Sequence, residues 1–165
     1  MGAMEEKSAS FGFEQHDHNL CLSKAIHAAE DYCTKYKLQF TPLRRKVLEL
    51  LLQEHRALGA YAILDLLRDA GFSSQPPVAY RALSFLVEHG FAHKIERLNA
   101  FVACTLSDTS HSPIFMICRK CETVVEAQSL SSNLNISAAA KAKGFEVEQT
   151  NFEAKGVCHS CVETV

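Results

Sequence analysis

Two pairs of cysteines carry the strongest chemical signal in the chain: Cys118-Arg119-Lys120-Cys121 and Cys158-His159-Ser160-Cys161. A two-residue spacer lets both sulfurs of a pair face one ion, and two such pairs can supply the four thiolates of a closed tetrahedral zinc shell. The stretch between Cys121 and Cys158 is longer than a zinc finger's. It has room for a strand, a helix and a strand, so a shared ion would staple the chain's end onto the first strand of a small domain. Two separate redox dithiols, or unrelated cysteines, are the competing readings; a thioredoxin-like pair needs a preceding βαβ context that this sequence lacks. His159 in place of one thiolate is a further variant, although four cysteines already complete the shell.

A second set has no fixed short spacing: His93, Cys104, His111 and Glu126. Singly, each reads as a surface histidine, a buried cysteine, a loop histidine and a solvated glutamate. Their placement suggests more. His93 and Cys104 lie near the two ends of an expected hairpin, and antiparallel pairing joins such ends. His111 falls in a hinge, and Glu126 in the first hairpin of a second domain. Two imidazoles, a thiolate and a carboxylate make a plausible zinc shell. An ion there would join both domains and favour one inter-domain geometry over others, which is what a sensor requires.

The elements that must position these groups are legible in the patterning. Residues 1–19 are polar and aperiodic, with Met1-Gly2-Ala3-Met4 resembling an expression remnant, and are expected to form a flexible arm. Leu20 to Tyr36 has helical periodicity, with Leu22, Ile26, Ala29, Cys33 and Tyr36 on one stripe. Thr41-Pro42 opens a second helix as N-cap and first helical residue, with Val47, Leu48, Leu51 and Leu52 inward. A third helix follows Gly59 and stops at Gly71. Pro76-Pro77 opens a fourth, Val78 to His89, ended by Gly90. Phe91 to Glu96 and Ala100 to Thr105 read as short strands about a turn at Leu98-Asn99.

Helices followed by a hairpin indicate a winged helix-turn-helix over residues 20–105. A Ser/Thr/Asp/Pro-rich hinge is expected at 106–113. A small α/β domain is expected at 114–165, with strands Ile114–Ile117, Val124–Gln128 and Phe145–Phe152 and a helix Leu130–Lys143. The fold class is therefore α/β (α+β), a winged helix-turn-helix domain before a small α/β domain, the latter being the dimerisation domain on the resemblance described below.

Composition agrees. The chain has 165 residues, 47% of them hydrophobic, which suits one or two packed domains. No apolar run reaches a membrane span and no signal peptide is recognisable. Seven cysteines without a secretory signal point to a reducing, cytoplasmic setting and to metal ligands rather than disulfides. The net charge of −2 is unevenly spread. Residues 20–104 carry eleven Lys+Arg against eight Asp+Glu, whereas 105–165 carry five against seven. A basic first domain suits a nucleic-acid partner.

The segment Leu38-Gln-Phe-Thr-Pro-Leu-Arg-Arg, then Ala79-Tyr80-Arg81-Ala82-Leu83 with Glu88-His89-Gly90-Phe91-Ala92-His93-Lys94, then the two cysteine pairs, together resemble the ferric-uptake-regulator (Fur) family over residues 20 to 161. Phe101-Val102-Ala103-Cys104 with Thr109-Ser110-His111 resembles its zinc-sensing branch; the iron branch carries a His-rich run where Asp108-Thr109-Ser110-His111-Ser112 stands here. The resemblance implies a zinc-loaded homodimer that binds operator DNA and represses zinc-uptake genes. It implies two zinc ions per chain: a structural one on Cys118, Cys121, Cys158 and Cys161, and a regulatory one on His93, Cys104, His111 and Glu126. One departure is Val78-Ala79, where the family often has Thr-Val and gains a hydroxyl for capping or phosphate contact.

On this reading Tyr80 and Arg81 face base edges from the start of the fourth helix. Arg44, Arg45, Lys94 and Arg97 sit at or near phosphates. Asp65 and Arg68 either link neighbouring dimers or pair within their own helix. The dimer is expected from residues 114–155, on a pseudo-palindromic operator. Neither a membrane nor a small-molecule substrate is expected. The alternatives are a thiol-based peroxide sensor, a same-family regulator answering iron, manganese or nickel, and a zinc hydrolase. A completed four-ligand shell argues against the last, because catalytic zinc keeps an open position.

Overall fold

The first four helices form one apolar body. The computed structural model describes residues 18–53, 56–73, 75–105, 113–128, 136–148 and 150–162. The expected arm up to residue 17 and most of the hinge, His111 included, lie outside the described residues. Helices α1 (His18–Lys35), α2 (Pro42–Gln53), α3 (Ala60–Asp69) and α4 (Pro76–Glu88) occur where periodicity placed them. They bury Ile26, Ala29 and Cys33 of α1, Val47, Leu48 and Leu51 of α2, Ile63, Leu64 and Leu67 of α3, and Ala79, Leu83 and Leu86 of α4.

The helix ends follow local chemistry. The Thr41 hydroxyl accepts the Arg44 N–H at 3.3 Å, satisfying one of the donors a helix start leaves open. At α4 the N-cap Gln75 makes no side-chain bond; Pro76 and Pro77 have no N–H to satisfy, and the Val78 and Ala79 amides both bond the Gln75 carbonyl. A hydroxyl at position 78 is therefore not needed to start this helix. Gly71 and Gly90 end α3 and α4 at φ +84° and +76°, a left-handed region that favours glycine.

After α4 the chain forms the wing. Strands β1 (Ala92–Ile95) and β2 (Ala100–Ala103) pair antiparallel, with His93 opposite Val102. A 3-10 turn, Glu96–Leu98, and Asn99 at φ +46° form its tip. Leu58, from the α2–α3 connection, adds a bridge to Phe101 on β2.

A second sheet holds β3 (Pro113–Cys118), β4 (Val124–Gln128) and β5 (Phe152–Gly156), in the order β4-β3-β5. The β3–β4 pairing is antiparallel and the β3–β5 pairing parallel. Short helices α5 (Ile136–Ala142) and α6 (His159–Val162) complete the described chain. The expected strand Phe145–Phe152 is a correction. Phe145 is 68% exposed, and the strand begins only at Phe152. The alternation at 145–148 resembles a strand, but β3 offers its free edge to 152–156, in the register that sets Gly156 beside Cys118.

Wing and sheet share a small core of their own. Ile95 and Val102 from the wing pack with Phe115 and Ile117 from β3. Phe115 is fully buried and stands at the centre of this seam. Phe115→Ala should lower stability by about 3–5 kcal/mol, read from the chemical denaturation midpoint. A loss under about 1 kcal/mol would show that the seam is not a packed core.

Candidate metal centres

The four-cysteine group is assembled by strand pairing. Cys118 ends β3, and the parallel partner β5 delivers Gly156 beside it. Arg119 N–H on the Gly156 carbonyl at 2.8 Å continues that edge. Cys121 returns through a tight turn in which Glu122 N–H bonds Cys118 O at 3.0 Å and Glu122 takes φ +61°. Cys161 returns through the one-turn helix α6, its N–H on Cys158 O at 3.0 Å. The four sulfurs lie within 4.8 Å of one another. Cys121 Sγ and Cys158 Sγ are 3.7 Å apart, against the about 3.8 Å that a tetrahedral ion with zinc–sulfur bonds near 2.3 Å requires. The group therefore fits the ion expected from its spacing. His159 is not among the four.

The electrostatics of the sulfurs are those of a cation site. Backbone N–H groups of Cys121 and then Cys158 point at Cys118 and lower its pKa to about 6; the Cys158 amide donates to Cys118 Sγ at 3.3 Å. The Thr123 hydroxyl and amide lower Cys121. Cys161 is pushed the other way, to about 12, first by its hydrogen bond with Cys158 and then by burial and the other thiols. Crowded sulfurs resist becoming four anions together, and a divalent cation removes that resistance.

The second group joins three elements. His93 is on β1, Cys104 follows β2, and Glu126 is on β4. Their donor atoms lie within 4.8 Å of one another. His93 Nε2 is 3.0 Å and Cys104 Sγ 3.8 Å from the same oxygen, Glu126 Oε1. The other oxygen, Oε2, accepts the Thr105 N–H at 2.8 Å and the Thr105 hydroxyl at 3.1 Å. One carboxylate oxygen thus faces the imidazole and the thiol, while hydrogen bonds hold the other, which is how a liganding carboxylate is oriented. The His93 ring lies 5.3 Å from that of Phe115. The fourth expected ligand, His111, lies outside the described residues. Thr105 and Phe115 escaped the sequence reading, since a threonine's acceptor and a ring's neighbour have no sequence signature.

The basic residues divide. Tyr80 and Arg81 are exposed on α4, with Arg81 Nε on Pro77 O at 3.3 Å. Lys94 Nζ reaches Glu96 at 3.0 Å, and Arg97 is exposed at the wing tip. Arg44 lies over the Phe85 ring, 3.7 Å from its centroid, and donates to Gln39 O. Arg45 is paired with Glu30 and Glu49. Arg68 bonds Asp65 at 3.0 Å within α3, the intrahelical alternative.

No protein-family model matches the chain. The zinc uptake regulation protein of Escherichia coli K12 is 40% identical over 138 residues, 82% of this chain and 80% of that protein. The chain belongs to the zinc uptake regulator family. Solved relatives agree. A zinc uptake regulator complexed with zinc and DNA superimposes with a TM-score of 0.80 at 36% identity, covering 90% of this chain and 97% of that one. Holo XcZur gives 0.78 at 37%, covering 86% and 99%. The winged-helix and dimerisation-domain architecture is that of this family.

Protons and metal compete for the same sulfurs, which fixes a pH dependence. Because its pKa is lowered from 9 to about 6, Cys118 supplies a thiolate at neutral pH and loses it as pH falls through about 6. Zinc on the four-cysteine group should be retained at pH 7 and, because protons must displace the bound ion, released only at a pH below about 6. Metal counts after dialysis against a chelator down to about pH 3 decide it; zinc retained in full there would count against ligation by these thiols.

Proposed function

We propose that the chain is a zinc-responsive transcriptional repressor that binds operator DNA as a homodimer when zinc-loaded and represses zinc-uptake genes. The observation that carries the reading is the group His93, Cys104 and Glu126, which draws its ligands from the wing and from the second sheet. An ion held between two units stabilises the arrangement in which its ligands meet. The relative solved with zinc and DNA supports the same reading. The chain is a regulator and not an enzyme. Among the described residues no helix is long and apolar enough to cross a membrane, and the reducing chemistry of the thiolate groups suits the cytoplasm.

In this reading each chain takes two zinc ions. The closed four-cysteine shell is structural, and the inter-unit group, with His111 as its fourth ligand, is regulatory. Tyr80 and Arg81 meet base edges. Lys94 and Arg97 on the wing lie near phosphates; Arg44 and Arg45 join them by exchanging Phe85, Glu30 and Glu49 for the DNA backbone. Asp65 and Arg68, paired within α3, link neighbouring dimers only by opening that pair. The dimer forms through the second unit. Met116 and Phe145 are exposed there, and the alanine-rich α5 buries none of its residues within the chain, so both have apolar surface to cover.

Operator binding across a free-zinc titration tests the function. Affinity should rise with zinc, and zinc-independent binding would overturn the reading. Cys104→Ser should leave a soluble dimer with about one zinc per chain. If the metal-free closed form is populated at about 1%, its operator affinity falls about 100-fold. Cys118→Ser should instead give unstable or monomeric protein. An unfolded Cys104→Ser protein would remove the distinction between the two sites. Arg81→Ala should cost about 1–3 kcal/mol and relax preference at one base position; unchanged specificity would take Arg81 off the base edges.

A further inference from the structure

The register of the second sheet places three residues in one row. Phe115 on β3 is opposite Glu126 on β4 and opposite Glu153 on β5, and residues directly opposed across strands share a face. That face meets the wing. Glu126 takes the wing's base through His93, Cys104 and Thr105, and Phe115 takes its middle through His93, Ile95 and Val102. Glu153 takes its tip. Glu153 Oε1 accepts the Glu96 N–H at 2.7 Å and Oε2 the Arg97 N–H at 3.2 Å. Arg97 Nε stands 3.9 Å from Oε2, and the Glu153 side chain is 13% exposed. These two amides open the 3-10 turn, and such leading N–H groups have no partner within their own turn.

We propose that Glu153 is a positioning residue: a second, metal-free fastener that holds the wing tip on the sheet and is thermodynamically coupled to the His93–Cys104–Glu126 group at the wing's base. The inference rests on the regulatory reading of that group. Both fasteners favour the same wing-on-sheet arrangement, so each makes the other's binding stronger, and the coupling is reciprocal. Glu153 also fixes the backbone of Arg97 while leaving its guanidinium half exposed, ready for a phosphate.

The test uses full-length dimer with zinc in the four-cysteine group and Co²⁺ as the probe of the second group, followed by its thiolate absorption. Glu153→Ala should weaken Co²⁺ binding about five-fold or more, although Glu153 is not among the grouped donors. It should also speed hydrogen exchange at the Glu96 and Arg97 amides in metal-free protein and weaken zinc-saturated operator binding by a similar factor. The four-cysteine zinc and the dimer should be retained. Should Glu153→Ala shed that zinc, Glu153→Gln, of equal size but uncharged, decides in its place. Co²⁺ affinity like wild type in the deciding variant overturns the coupling. Zinc-independent operator binding by the wild type sinks the regulatory reading instead, and that outcome is distinct because the Co²⁺ measurement needs no DNA.

Discussion

A carboxylate stripped of water must find positive charge or donors, at a cost of several kcal/mol if it does not. Glu126 is in that position: 2% of its side chain is exposed, in a seam that closes only when the wing lies on the second sheet. Thr105 supplies two donors to one oxygen. The other oxygen faces the His93 imidazole at 3.0 Å and the Cys104 thiol at 3.8 Å, two groups that can also ligate a divalent cation. On the proposed reading, a divalent ion held by His93, Cys104 and Glu126 would set positive charge beside this buried carboxylate and so favour the closed seam.

The four-cysteine group obeys the same electrostatics with a different outcome. Its ligands sit at the end of β3 and on the turns flanking β5, elements of one paired sheet, and backbone amides favour a thiolate at Cys118. Metal there would complete a shell within one unit, with no second arrangement to choose against. On the proposed reading the difference between a structural and a switching ion is topological: whether the ligands come from one unit or from two.

Much of this was legible in the sequence where local rules govern. The four helices, their proline starts and glycine stops, and the wing strands followed from periodicity and capping, within a residue or two at most ends. The four cysteines declared themselves by spacing. The third strand of the second sheet did not. Phe145 to Phe152 alternates like a strand, yet β3 pairs with 152–156, because non-local register outweighs local pattern. Glu153 was invisible for the same reason. An acidic residue just past an alternating segment reads as solvent-facing, and its partners, two backbone amides at the wing tip, belong to no motif. Arg44 and Arg45 read as phosphate contacts in the sequence, and packing gives them an aromatic ring and two carboxylates.

The seam reaches the DNA-facing surface through short, stiff connections. β1 begins four residues after α4 ends, and the intervening turn is held by Phe91 N–H on Leu86 O at 2.8 Å and Cys104 N–H on Phe91 O at 2.9 Å. Arg44 over Phe85 ties α2 to α4, and α4 buries its inner face in the helical core. The recognition helix cannot tilt against the wing without breaking these contacts, so helix and wing respond to the sheet as one body. In a two-fold dimer built through the second sheet, the attitude of that body sets the separation and angle of the two recognition helices. Operator half-sites demand a fixed separation of about one helical turn. On the proposed reading, a metal at the wing's base would need only to choose the attitude of a rigid body, and the twofold axis of the proposed dimer would convert that choice into a match or mismatch with the operator.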